Sequence, residues 1–342
     1  MLGLKDILAA RRTIRNLVKR TPLEYSFLLS QQAGCELYLK LENRQVTGSF
    51  KPRGAVNKIA SLSAEEKARG LVTASAGNHA LGVAHASRAL GGVSNTIFLP
   101  HNAPQSKVEK LREFGSELRF AGNTYEEAHH AAEEFAQAQG ATYVHAYDDP
   151  VVIAGQGTAG LEIMEELPDV EAIIVPIGGG GLSAGIAVAA KSINPEVKVI
   201  GVQPDTSPAA YLSFKEGQCY ESYEAGPTIA DGLAGGYGIV PFTIARDLID
   251  EIVVVSEEAI WKSVYALLEL SQLVVEGSGA AAVAPLLAGP ASGYETELDL
   301  KGKKVVAVLS GGNIDAELLF RIMKAWTPPS TLGVSGPKRR HG

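Results

Sequence analysis

The stretch 47-TGSFKPRGAVNK-58 sets a lysine, Lys51, between a Gly-Ser-Phe turn and a Pro-Arg-Gly turn, shortly after the alternating apolar run 36-ELYLKLE-42. Burying an ammonium group is costly, so lysines ordinarily decorate solvated helix faces. A lysine held in a turn where a strand gives way to a helix is a different matter. It is a candidate for chemistry, and the rest of the chain decides whether it is more than a surface charge.

Outward from that turn, short apolar runs alternate with helical patterns. Strands are expected at 70-GLVTAS-75, 93-VSNTIFLP-100, 116-SELRFAG-122, 141-ATYVHAY-147, 171-EAIIVPI-177, 197-VKVIGVQP-204, 251-EIVVVS-256 and 304-KVVAVLS-310. Helix-length segments such as 104-PQSKVEKLREF-114 and 124-TYEEAHHAAEEFAQA-138 separate them. Strands alternating with helices argue for an α/β fold with mostly parallel, twisted, open sheets flanked by helices. Runs that are apolar throughout fit sheets covered on both faces. In the first segment, Leu4, Ile7, Leu8, Ile14, Leu17 and Val18 share one helical face, which reads as an ordinary first helix. The glycine-rich segment 221–241 lacks periodicity and reads as an ordered functional loop, and the Pro/Gly/Ser-rich tail after residue 327 as disordered.

The 342 residues, 46% hydrophobic and 20% charged, suffice for a large core and about two or three domains. A net charge of −7, spread along the chain, recommends neither nucleic acid nor an anionic membrane as a partner. Cys35 and Cys219 have no metal or redox spacing, and the seven histidines form no HExxH or paired-cysteine pattern. No apolar run is long enough for a transmembrane helix, so a soluble cytoplasmic protein is expected.

Three glycine-rich turns fall where a strand ends and a helix begins: 75-SAGNHA-80, 177-IGGGGLSAG-185 and 309-LSGGNID-315. In open parallel sheets, ligands collect beyond the carboxyl ends of strands. Glycines there let backbone N–H groups approach an anion, and the helix N-terminus adds partial positive charge. Neither GxGxxG nor GxxxxGK[ST] occurs at these turns, which weakens dinucleotide and nucleoside-triphosphate readings. Ser310 lies in LSGGN rather than GxSxG, so it is not a nucleophile elbow. A phosphate cradle, a turn-held lysine and polar tips at Asn78 and Ser310 are what a pyridoxal phosphate site requires. TGSFKPRGA resembles the cofactor-lysine motif of the tryptophan-synthase-β-like, fold type II pyridoxal-phosphate enzymes. SAGNHALGVA, GGGGLSAG, TIADGLA, VVEGSGAAAVA and LSGGNID resemble, in the same order, motifs of threonine/serine dehydratases and serine racemases. The resemblance runs from about Thr21 to about Ala325.

That resemblance implies roles. Lys51 would carry the cofactor as a Schiff base and later take the substrate α-proton, and Phe50 would lie beside the ring. Asn78 would hydrogen-bond the ring hydroxyl, while Gly178, Gly179, Gly180, Gly181 and the Leu182 amide would hold the phosphate. Ser310 would face the pyridine nitrogen, with Gly311 close by. Ser75, Ala76, Gly77, Asn78 and His79 would receive the substrate carboxylate, with Gly232 near the reacting face and Glu276 near the cofactor. To act as a base the freed lysine must be neutral, which desolvation favours. A hydroxyl at Ser310 leaves the ring a weaker electron sink than a carboxylate would, favouring direct loss of a β-hydroxyl.

The expected architecture is a large cofactor-binding domain of residues 1–52 and 150–327 with a small mobile domain of 53–149, assembled as a homodimer or homotetramer. Two departures from family patterns stand out. The sequence runs only a little past 314-IDAELLFRIMKAW-326, so the regulatory extension of biosynthetic threonine dehydratases is not expected. Gln203 and Ala209 stand where racemase-like members have divalent-cation ligands, which leaves at most a monovalent ion. The expected reaction is dehydration and deamination of L-threonine and L-serine. An amino acid racemase, a 3-hydroxyaspartate-type dehydratase and a non-enzymatic metabolite-binding α/β protein remain as alternatives.

Overall fold

The computed structural model describes residues 2–103, 105–294, 296 and 298–326. The expected tail after residue 327 lies outside them. Two sheets organise the chain. Strands β1 (Leu23–Tyr25), β2 (Glu36–Lys40), β7 (Ala172–Pro176), β8 (Lys198–Pro204), β9 (Glu251–Val255) and β10 (Lys304–Val308) form a six-stranded sheet in the order β1-β2-β10-β7-β8-β9. Strands β3 (Leu71–Ala74), β4 (Asn95–Leu99), β5 (Glu117–Phe120) and β6 (Thr142–Tyr143) form a four-stranded sheet in the order β5-β4-β3-β6. Every pairing is parallel except β1 with β2.

All eight segments expected as strands from residue 70 onward are strands. Period-two alternation explains how the large sheet is covered on both faces. Leu37, Leu39, Ile174, Val202, Val253, Val305 and Ala307 share one core. Ile173, Val175, Val199, Ile252, Val306 and Val308 point into the other. The helix Tyr125–Gln139 starts where Thr124 accepts from the Glu127 N–H and Glu127 reaches back, a reciprocal cap.

Three readings change. β1 is an additional strand, three residues long and antiparallel at the sheet edge, too short to show alternation. The first helix covers Leu4–Ile14 and stops before Leu17 and Val18, which pack beside Ile14, Ala55 and Val83. The strand preceding Lys51 ends at Lys40. A 3-10 turn, Glu42–Arg44, and a further loop intervene before Lys51 opens the helix Lys51–Ser61. Lys51 is therefore presented by a long loop, not by a direct strand-to-helix turn.

Candidate active site

The loop before Lys51 is pinned along its length. The Phe50 N–H donates to the Ser310 carbonyl at 3.1 Å, and Ser49 bridges Gly311. These bonds set Lys51 beside the end of β10. Pro52 suits the first turn of a helix, where its missing N–H costs nothing. Gly155 lets the helix Pro150–Glu166 approach closely, since a Cβ there would lie 2.4 Å from the Arg53 carbonyl.

Below Lys51 lies a set of buried charges. The Arg53 guanidinium forks onto Glu42 (Nε–Oε2 2.8 Å, Nη2–Oε1 2.8 Å) and Glu162 (Nη1–Oε1 2.7 Å, Nη2–Oε2 2.8 Å), and also reaches Thr158. Lys40 pairs with the same Glu162 at 2.7 Å and donates to the Thr21 carbonyl. Arg53, Lys40 and Glu42 are completely buried. Two cations and two carboxylates thus cancel, and they tie β2, the Lys51 helix and the helix Pro150–Glu166 together. Glu42 and Arg53 staple the two ends of the loop that presents Lys51.

The Lys51 amine donates to the Ala146 carbonyl at 3.0 Å and lies 5.0 Å from the centroid of the Phe50 ring. Burial lowers its pKa to about 8, against the opposing pull of Glu276. Gly82 lets the helix Asn78–Ala89 lie on Lys51, because a Cβ there would sit 3.1 Å from the Lys51 Cβ. The 75–79 loop therefore closes one side of the lysine. Within it, Ser75 Oγ accepts from the Gly77 N–H, and Ala76 packs toward the core of the small sheet. His79 is buried against the Val144 carbonyl at 2.9 Å, and burial, then nearby Lys51, lower its pKa to about 3. Its ring is neutral and turned inward, so only its main chain is available to a ligand.

The glycine run follows β7. Gly178 sits against Gly232, whose carbonyl would be 2.5 Å from an added Cβ, and Gly179 and Gly181 sit against Tyr147. Gly180 has φ +93°, a conformation that L side chains rarely adopt. Among the described residues, the N–H groups of Gly178, Gly179 and Gly180 donate to no protein oxygen. Gly181 and Leu182 open the helix Gly181–Ile193, whose first N–H groups lack helical partners. Unspent donors on a helix N-terminus form a cradle for an anion.

On the far side of the lysine, Ser310 and Gly311 follow β10, and Gly311 is closed in by Glu276 and Asn78. Glu276 accepts from Asn78 Nδ2 at 2.6 Å and from the Asn313 N–H at 3.0 Å. Burial, with help from Asp231, raises its pKa to about 7 against those two bonds and Lys107. Lys107 spans from the helix Gln105–Glu113 to Asp231, at 3.0 Å. Residues 51, 78, 178–182, 232, 276, 310 and 311 thus converge from six separate segments.

A family described as "Pyridoxal-phosphate dependent enzyme" matches residues 14–311. The chain belongs to that family. It is a pyridoxal-phosphate-dependent enzyme, and the observed residues fit that cofactor: a desolvated lysine amine, and a cradle of unspent N–H donors for its phosphate. An L-threonine ammonia-lyase of Thermotoga maritima is 51% identical over 324 residues, covering 94% of this chain and 78% of that protein. The catabolic L-threonine dehydratase TdcB of Escherichia coli K12 is 42% identical, covering 94% and 96%. Among solved structures, maize serine racemase superposes with a TM-score of 0.86 at 34% identity, covering 94% of this chain and 97% of that one. The processed form of threonine deaminase isoform 2 from Solanum lycopersicum gives 0.86 at 35%, covering 94% and 86%.

Several residues escaped the motif reading. Asn313 lies inside LSGGNID yet had no role, although an asparagine directly behind two glycines at a strand end is a signal. Arg53 sits in the lysine motif itself. Tyr147, Lys107 and the Glu42–Glu162 pair carry no local signature.

Proposed function

We propose that this enzyme is a dehydratase of β-hydroxy amino acids that converts L-threonine, and L-serine, to 2-oxobutyrate or pyruvate with release of ammonia. What supports the reading is the setting of Lys51: its amine lies against the Ala146 carbonyl and the Phe50 ring, the helix that opens at Asn78 packs on it, and desolvation lowers its pKa to about 8. An amine so placed is neutral in a useful fraction near physiological pH and can take an α-proton. Pyridoxal phosphate bound at Lys51 supplies the electron sink that acidifies that proton.

In this reading the N–H groups of Gly178 to Leu182 hold the phosphate. Asn78 donates to the ring hydroxyl, with Phe50, Glu276 and Gly311 around the ring, and Ser310 presents a hydroxyl to the pyridine nitrogen. The loop Ser75–His79 receives the substrate carboxylate through its backbone, and Gly232 borders the reacting face. Residues 53–149, which contain the whole four-stranded sheet, form the small domain. It closes on the large domain of 1–52 and 150–327 and excludes water. The Lys107–Asp231 pair joins the two across the cleft. A homodimer or homotetramer, a monovalent cation and a cytoplasmic location complete the proposal. No helix among the described residues is long and apolar enough to cross a membrane.

The test is an assay of keto acid and ammonia across a panel of β-hydroxy amino acids, with chiral analysis of unreacted substrate and size-exclusion light scattering alongside. Lys51→Ala should abolish turnover and the lysine-linked cofactor absorbance. Full activity in that variant would end the reading.

A further inference from the structure

Asn78 belongs to a closed ring of hydrogen bonds whose polarity is fixed by one backbone carbonyl. Asn313 Nδ2 donates to the Thr47 carbonyl at 2.8 Å and to Asn78 Oδ1 at 2.7 Å, which spends both of its protons. Asn78 therefore turns its oxygen to Asn313 and its nitrogen to Glu276 Oε1, 2.6 Å away. Glu276 Oε2 accepts from the Asn313 N–H at 3.0 Å and closes the ring. One Nδ2 proton of Asn78 is left over. Gly311 makes room for this arrangement, because a Cβ there would lie 2.2 Å from Glu276 Oε1 and 3.2 Å from Asn78 Nδ2.

We propose that ionised Glu276 is a positioning residue for the cofactor: it locks the Asn78 amide so that the spare proton points to the ring hydroxyl of pyridoxal phosphate, and this hold is released when Glu276 takes up a proton. The inference rests on the reading of Asn78 as the ligand of that hydroxyl. Both groups facing the Glu276 carboxylate are donors. A proton on either carboxyl oxygen sets a donor against Asn78 Nδ2–H or the Asn313 N–H, and one bond of the ring is lost. The charged groups around it are Lys51 and Lys107, which favour the carboxylate, and Asp231, which opposes it. Burial is the largest influence and sets the transition near pH 7, inside the range in which the holoenzyme can be assayed. The direction follows: the ring is closed above that value and open below it.

The experiment compares wild type with Glu276→Gln, measuring the affinity for pyridoxal phosphate and its absorption spectrum on both sides of pH 7. Glutamine can still accept from Asn78, but its amide nitrogen confronts the Asn313 N–H and it does not titrate. On the alkaline side the variant should bind cofactor about ten- to a hundredfold more weakly, the worth of one charge-assisted hydrogen bond. On the acid side the two proteins should converge. Asn313→Ala, which opens the ring without removing a charge, should show the same loss and covers the case in which the glutamine variant folds poorly. Asn78→Ala separates the two levels of the argument. If it leaves affinity and spectrum unchanged, Asn78 does not meet the cofactor and both readings fall. If Asn78→Ala weakens binding while Glu276→Gln does not, or does so equally on both sides of pH 7, the positioning role of Glu276 alone is overturned.

Discussion

Replacing Arg53 with methionine removes one of four charges from a site that is buried throughout, with Arg53, Lys40 and Glu42 fully enclosed. Buried ion pairs often add little net stability over well-packed apolar residues, yet deleting one member is costly because the others remain charged and desolvated. Here the loss can be located. Glu162 keeps Lys40 at 2.7 Å, whereas Glu42 keeps only the Thr21 hydroxyl. The cost should therefore fall on Glu42 and amount to about 3–5 kcal/mol. Equilibrium urea unfolding of the apoprotein, followed by circular dichroism, should show a midpoint lower by on the order of 1–2 M. Adding Glu42→Gln to Arg53→Met removes the stranded charge and should recover part of the loss, a non-additivity expected of residues in one network. Arg53→Lys keeps the charge but not the fork and should fall between wild type and the methionine variant. A methionine variant within about 1 kcal/mol of wild type, or a double variant that is simply the sum of its parts, would refute the reasoning.

Glu276→Gln in the apoprotein tests the sign of a buried carboxyl. Its folded pKa is raised from 4.5 to about 7, so its stabilising contribution is present below 4.5 and lost as pH rises through 7. The wild type should thus lose up to about 3 kcal/mol over that window relative to the variant, read from unfolding midpoints at several pH values. Ser310→Asp should keep a pyridine nitrogen protonated and shift the cofactor absorbance to longer wavelength, with slower elimination; an unchanged spectrum and rate would remove Ser310 from the ring nitrogen. Activity should survive chelation of divalent ions, because Gln203 is satisfied by the Ile177 carbonyl and the Tyr211 N–H; a steep loss in EDTA restored by magnesium would contradict this. Wild type incubated with L-serine should form pyruvate without appreciable D-serine, and Ala76→Ser should gain some racemisation, since a methyl cannot return a proton to the opposite face; chiral chromatography decides.

What could be read from the chain depended on how local the determinants are. The strands of the parallel sheets announce themselves as apolar runs because both faces are covered, and the glycine turns mark strand ends that must admit a ligand. β1 could not be read, since three residues at a sheet edge carry no period. The roles expected at Lys51, Asn78 and Gly178–Leu182 came from short motifs, and the fold brings those motifs together. The supports of the site were not legible for a physical reason: they are pairings across long separations. Arg53 meets Glu162 109 residues away, and Asn313 meets Asn78 across 235. Nothing in either neighbourhood dictates such a partner.

The place of β10 in the large sheet has a consequence for how the chain is made. It lies between β2 and β7, so among the described residues the last strand of the large sheet to be synthesised is a central one. The four-stranded sheet, built from consecutive strands, can assemble while synthesis continues. The large sheet stays split, with the edges of β2 and β7 unpaired, until residues 304–308 arrive. Ser310 and Gly311 follow immediately behind. A nascent chain therefore gains its complete cofactor site only once residues 304–311 have been made, after a long interval in which two apolar strand edges need protection from aggregation.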